Sequence, residues 1–300
     1  MVTRAEAVRK KHSPRYQTIA HQFLDIERDA GIIEATPSAY QTLDGILSEA
    51  QQRIRTPTAD SKFEAIRILK TIDSILKEKE FKHKDYALLS EGLAEETPRP
   101  ITCLGRTVIY RAIADILNLP IAAVNVPEHS FVRWHLKDLY LNWETTSGKE
   151  LKDFDYFIGF NISEKAIENG VYLQSITEDE HLKGSYHLSV GYVLGRKGKN
   201  HQALQHYLKA VEINPKDPEA LSNVGVLFME SKMYTEALSY FTRSLRLNPS
   251  ACTYTNYGIL YLRQGYLEKA TFYFMKALEL DPDYENANRG LAFAASKSLT

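Results

Sequence analysis

Cysteine is nearly absent: two of 300 residues, Cys103 and Cys252. Two cysteines exclude a disulfide framework and point to a reducing compartment, the cytoplasm. Excess charge is absent as well. Thirty-seven basic side chains face 38 acidic ones, a net charge of −1. No global field then favours nucleic acid or an anionic membrane, and neither is expected as a partner. No hydrophobic run approaches the length of a membrane-spanning helix. The basic start, MVTRAEAVRKKHSPRY, lacks the apolar core of a secretory signal. It reads as a solvated helix or as a presequence of another kind. What is there is ordinary for a folded chain, 44% hydrophobic and 25% charged residues. The length suits two domains, or one domain with a repeat array.

The C-terminal third is repetitive. Gly191, Gly225 and Gly258 step by 34 and then 33 residues. Ala203, Ala237 and Ala270 keep the same steps, as do Pro215, Pro249 and Pro282. A period near 34 with small residues at fixed helix positions marks stacked helical hairpins. Tyr207, Phe241 and Phe274 follow the alanines by four residues and should fill the gaps between repeats. Each Asn-Pro or Asp-Pro pair ends a second helix, because proline disfavours helix at the residue before it. Residues 285–296 read as a capping helix, with Leu291 and Ala292 standing where Val224 and Gly225 stand. Cys252 falls on the first helix of the third repeat and reads as a small packing residue. This pattern resembles the tetratricopeptide repeat family over roughly 184–284. The resemblance implies a concave groove for a protein or peptide partner. Some such grooves grip a C-terminal carboxylate with basic side chains. Here Leu188, Tyr192 and Cys252 occupy corresponding positions, and only Asn223 fits, so no such clamp is expected.

Upstream, helical patterning covers 3–31 and 38–54. Over 59–79, Phe63, Ile66, Ile68, Leu69, Ile72, Ile75 and Leu76 recur at helical spacing. Thr58 or Asp60 is the expected cap. The stretch 80–102 is mixed and ends in TPRPIT, which cannot be regular helix. CLGRTVIYRAIADILNL then reads as a helix, followed by three strands in PIAAVNV, HSFVRWHL and DLYLNWETT. Helices followed by an antiparallel sheet make an α+β domain.

Cys103 stands in the first turn of its helix, just after Thr102. Unpaired N–H groups and the positive end of the helix dipole there favour thiolate. The plain alternative is a small residue that packs. His129 begins the second strand. If Lys137 and Asp138 form the hairpin loop, Leu136 pairs with Leu139 and Thr146 lies opposite His129. Glu144 is then the diagonal neighbour of His129 on the same face, within reach of a hydrogen bond. Nucleophile, base and orienter is the reading of Cys103, His129 and Glu144. The Cys103 N–H would donate to a developing oxyanion. His129 could equally be a buried structural histidine. A Cys-His-Glu zinc site is a third reading, but zinc needs three or four ligands and His135 is six residues away. Arg133 and Asn142 share the face and either bind substrate or serve the structure, Arg133 by pairing with an acid.

In this order these residues resemble the transglutaminase-like superfamily, with a papain-like core, over roughly 60–160. The match runs through Cys103 and its helix, VNVPEHSFVRW with His129, and YLNWETTSG with its acid. It is similar to a bacterial branch in which tetratricopeptide repeats follow the core. The resemblance implies a Cys nucleophile, a His base and an acid, usually Asp. Glu144 stands at that position here. It also implies thiol acyl transfer, as a protease, deamidase or cross-linking enzyme, with no cofactor and no metal. The expected layout is an N-terminal helical region over 1–57, a transglutaminase-like core over 58–180, and three repeats plus a cap over 184–300. The alternative is an inactive core serving as scaffold for repeats that bind other proteins.

Overall fold

A computed structural model describes residues 16–31, 37–55, 57, 60–85, 87–94 and 99–298. The basic segment over 1–15 and the expected cap Thr58 lie outside them. The chain divides into two compact units. One holds residues up to Asn161 together with Leu173–Val193; the other holds Ile162–Tyr172 and everything from Leu194.

The first unit opens with three helices, α1 (Ile19–Asp29), α2 (Pro37–Arg53) and α3 (Lys62–Glu78). In α3 the stripe Ala65, Ile68, Leu69, Ile72, Ile75 and Leu76 is buried. Phe63 is not part of it and is 80% exposed. At about 100° per residue it points away from Ala65, Leu69 and Ile72. The cap is Ser61, not Asp60: its hydroxyl accepts the Glu64 N–H at 3.2 Å. Next come β1 (Phe81–His83), the short helix α4 (Leu89–Leu93) and β2 (Arg99–Ile101). The two strands pair in parallel, where the sequence pattern had marked no strand.

Helix α5 (Cys103–Leu117) starts at Thr102, whose hydroxyl accepts the Gly105 N–H. It ends at Asn118, in the left-handed conformation at φ 51°. Then follow β3 (Ile121–Val126), β4 (His129–His135), β5 (Tyr140–Glu144), β6 (Lys149–Leu151), α6 (Asp153–Gly159), α7 (Glu164–Glu168) and β7 (Ser175–Ile176). The main sheet is antiparallel, in the order β6-β5-β4-β3-β7. Arg133 pairs with Asn142 and His135 with Tyr140. Leu136 N–H donates to Leu139 O at 2.8 Å, so Lys137 and Asp138 form the loop. Strand alternation puts Val132, Trp134, Leu141 and Trp143 on one face. Trp143 Nε1 reaches Asp73 of α3 at 2.9 Å. The opposite face carries Phe131, stacked on Tyr156 of α6 at 3.8 Å.

One buried acid lies at the junction of three helices. Glu27 of α1 is fully buried and accepts the Ser90 N–H and hydroxyl and the Tyr186 hydroxyl. Burial pushes its carboxyl up to about 8, against the pull of the Ser90 bonds. Tyr186 belongs to α8 (Asp179–Arg196), the first repeat helix, within which the expected boundary at 184 falls.

The second unit continues with α9 (Asn200–Ile213), α10 (Pro218–Glu230), α11 (Tyr234–Leu247), α12 (Ala251–Arg263), α13 (Leu267–Leu280) and α14 (Glu285–Ser298). Segment 162–172 belongs to it. Ser163 bonds Asn248 at 2.8 Å, and Asn169 Nδ2 donates to the Leu247 carbonyl, which the end of α11 leaves unpaired, at 3.1 Å. Phe241 and Phe274 are completely buried. A Cβ added at Gly225 would come within 2.5 Å of the Phe241 ring, and one at Gly258 equally close to Phe274. These positions stay glycine because the ring needs that space. The capping helix repeats the device at Gly290, also 2.5 Å from Phe274, and not at Ala292, which is exposed. The shift by two residues follows the ring: the cap has to offer its own glycine to Phe274.

Gly258→Ala should therefore destabilise the repeat unit by about 1–3 kcal/mol, the usual cost of overpacking. Combining it with Phe274→Leu should recover part of that loss relative to the sum of the single changes, by chemical denaturation. Gly258→Ala with an unaltered transition would refute this packing account.

Candidate functional site

The site is assembled from three places in the first unit. Helix α5 supplies Cys103 from its first residue, β4 supplies His129 from its start, and β5 supplies Glu144 from its end. The hairpin register makes Glu144 the diagonal neighbour of His129, and the two side chains meet. His129 Nε2 and Glu144 Oε2 are 2.7 Å apart. Cys103 is partly exposed and lies close enough to His129 to act on its imidazole. With Nε2 engaged by Glu144, Nδ1 is the ring nitrogen left for the sulfur.

The surroundings fix these groups. His129 and Glu144 are 13% and 8% exposed in their side chains. The Phe160 ring lies parallel to the imidazole at 4.9 Å and 14°. Glu144 Oε1 accepts the Thr146 N–H at 3.0 Å and the Thr146 hydroxyl at 2.6 Å. Its Oε2 also accepts the Tyr156 hydroxyl at 3.2 Å. The extra methylene of a glutamate is thus taken up by a carboxylate held at both oxygens.

Burial alone would push the His129 imidazole down. Its interactions with Cys103 and Glu144 outweigh that and raise it to about 9. Burial works against the Glu144 carboxylate too, yet the bonds from His129 and Thr146 hold it below the usual range. The phenol of Tyr156 is pushed up by burial and by the adjacent Glu144 charge, so it remains a donor. Chemically, a thiol, an imidazole and an orienting carboxylate in sequence can pass a proton and expose a nucleophilic sulfur. The N–H groups of the first turn of α5 have no intrahelical partner.

Arg133 and Asn142 are 6% and 2% exposed. Arg133 Nε donates to Asn142 Oδ1 at 2.7 Å, and both side chains donate to Asp153. Arg133 also donates to the Leu173 carbonyl at 3.0 Å and lies 4.2 Å over the Tyr140 ring. Their polar atoms are engaged inside the protein, tying β4 and β5 to the start of α6. His135 sits at the far end of β4. Among the described residues no group of three or more His, Cys, Asp and Glu is arranged to hold a metal ion.

Thr146, Tyr156 and Phe160 carry no signature of a role in the sequence. The hairpin register did put Thr146 opposite His129. Tyr156 and Phe160 stand four apart, which puts them on one side of a helix, but nothing local says that this side covers the sheet. Cys252 corrects an expectation: it is exposed, not packed. It lines a cavity of about 480 Å³ in the second unit with Asn256, Ile259, Arg289 and Phe293. The spacing of residues 252, 256 and 259 puts them on one outward side of α12. No helix among the described residues is long and apolar enough to cross a membrane.

Comparison with known proteins bears on the second unit. Tetratricopeptide repeat patterns match residues 218–251 and 253–284, and a TPR repeat pattern matches 191–232. The photosystem I assembly protein Ycf3 of Synechococcus elongatus is 28% identical over 137 residues, 38% of this chain and 78% of the relative. Among solved structures, an O-GlcNAc transferase mutant from Thermobaculum terrenum is 28% identical over 40% of this chain and 23% of that one, with a TM-score of 0.38. The first TPR of Spaghetti (RPAP3), bound to an HSP90 peptide, is 23% identical over 39% of this chain and 94% of that one, with a TM-score of 0.37. The C-terminal part of the chain is built of tetratricopeptide repeats.

Proposed function

We propose that the first unit is a transglutaminase-like thiol acyl transferase or hydrolase, and that the repeats recruit its protein substrate. The observation that carries this reading is the His129–Glu144 hydrogen bond beside the partly exposed Cys103 at the start of α5. His129 takes the thiol proton, and the sulfur attacks a glutamine or peptide carbonyl. The oxyanion is met by the N–H of Cys103. His129 returns the proton to the departing ammonia or amine. Water or a second amine then resolves the thioester, with His129 as base. Glu144 keeps the imidazole in the required tautomer and stabilises its charged form. The cavity beside Cys252 combines apolar walls, Ile259 and Phe293, with Arg289 and two asparagines.

A second reading is a scaffold that brings other proteins together. The similarity to an assembly protein favours it, since that alignment covers 38% of this chain. Alkylation separates the two. Exposure alone makes Cys252 the faster thiol, because it is exposed and Cys103 only partly so. Activation by His129 reverses the order. Iodoacetamide at pH 6 should modify Cys103 at least tenfold faster than Cys252, and His129→Ala should abolish the difference. Faster labelling of Cys252 would leave the scaffold.

The acid has its own test. Glu144→Gln should fold normally and lose about three to four orders of magnitude in turnover, the scale seen when a triad carboxylate becomes an amide. Undiminished turnover would remove Glu144 from the reaction.

Stability should follow the same pair. A histidine raised above 6.5 on folding adds stability in full below that pH, and the addition fades as pH rises through about 9. The stability difference between wild type and His129→Gln should shrink across that window. A difference that grows with pH would contradict the pairing.

A further inference from the structure

We propose that Thr146 and Tyr156 are positioning residues that make a glutamate serviceable as the orienting acid, acting on His129 through Glu144. The inference rests on the thiol reading above and deepens it. A glutamate on a strand has three rotatable side-chain bonds, so its carboxylate has no single resting place unless other groups hold it. Here four contacts fix it. Oε1 takes both the backbone N–H and the hydroxyl of Thr146, at 3.0 and 2.6 Å. Oε2 takes His129 Nε2 at 2.7 Å and the Tyr156 hydroxyl at 3.2 Å. Each oxygen has two partners, and the carboxylate plane is set by groups on both sides of it.

The two residues reach Glu144 by different routes. Thr146 lies two positions along the chain, in the turn closed by the Gly148 N–H to the Glu144 carbonyl at 2.8 Å. Gly148 is in the left-handed region at φ 67°, which brings the turn back on itself. Tyr156 comes from α6, and its ring is stacked on Phe131 at 3.8 Å with 7° between planes. That stacking holds the phenol at a fixed height above the strand. The Thr146 hydroxyl is near the surface while Tyr156 is 1% exposed. Loss of either donor leaves one oxygen with a single partner and the carboxylate plane less firmly set, so the imidazole loses its fixed partner before it loses its place in the fold.

The test uses the full chain and two readouts that do not need a substrate: the His129 imidazole titration by NMR and the alkylation rate of Cys103. Thr146→Val keeps size and the backbone N–H but removes the hydroxyl. Tyr156→Phe keeps the stack but removes its donor. Each should lower the His129 midpoint toward that of free imidazole and slow Cys103 alkylation at neutral pH by about tenfold, the scale of one hydrogen bond to a charged group. Thr146→Ser should restore both. If Thr146→Val fails to fold, Tyr156→Phe alone decides. A raised His129 midpoint and fast Cys103 in wild type, unchanged in the variants, would overturn the positioning roles and leave the thiol site standing. A wild-type His129 with an ordinary midpoint and a slow Cys103 would overturn both.

Discussion

The hydrogen bond between His129 and Glu144 is the constraint on which the first unit turns. It spans the diagonal of a two-stranded register, so it exists only if β4 and β5 pair as they do. A slip of one residue would send one of the two side chains to the opposite face. The two-residue loop at Lys137 and Asp138 sets that register, and the buried Arg133 and Asn142, both bonded to Asp153, lock it on the same face. Trp143 anchors the other face through Asp73. Packing on both sides therefore determines where an imidazole and a carboxylate meet. The thiol arrives independently, because Thr102 starts a helix and Cys103 is its first residue.

This explains what could be read from the sequence alone. The hairpin pairing follows from alternation and a short loop, and both are local. So are the helix start at Cys103 and the glycine–alanine–proline rhythm of the repeats. The observed register, the Glu144–His129 contact and the repeat helices agree with those expectations. Expectations that depended on distant packing fared differently. Phe63 continued an apolar pattern in the chain yet faces outward, since the stripe it seemed to join lies on the far side of α3. Cys252 looked like a packing residue, but the outward side of α12 carries it. The cap was aligned on Leu291 and Ala292, whereas the ring of Phe274 selected Gly290.

Other parts of the site had no local signature at all. Nothing in FDYFIGF announces that Tyr156 reaches Glu144 or that Phe160 lies over His129. Those contacts arise only once α6 is laid against the sheet, which the Asp153 bonds to Arg133 and Asn142 accomplish. The same holds for segment 162–172, which is adjacent in sequence to the core but packs with the repeats. Physical reading of a sequence finds groups that neighbours in the chain position, and misses those that a surface brings in from elsewhere.

The central claim is that Cys103, His129 and Glu144 act as one unit, and a double-mutant cycle on the Cys103 alkylation rate tests it most directly. If they do, His129→Ala and Glu144→Gln combined are no slower than His129→Ala alone, because the carboxylate works only through the imidazole. Rate losses that multiply across the two changes would mean that the groups act separately, and would contradict the account.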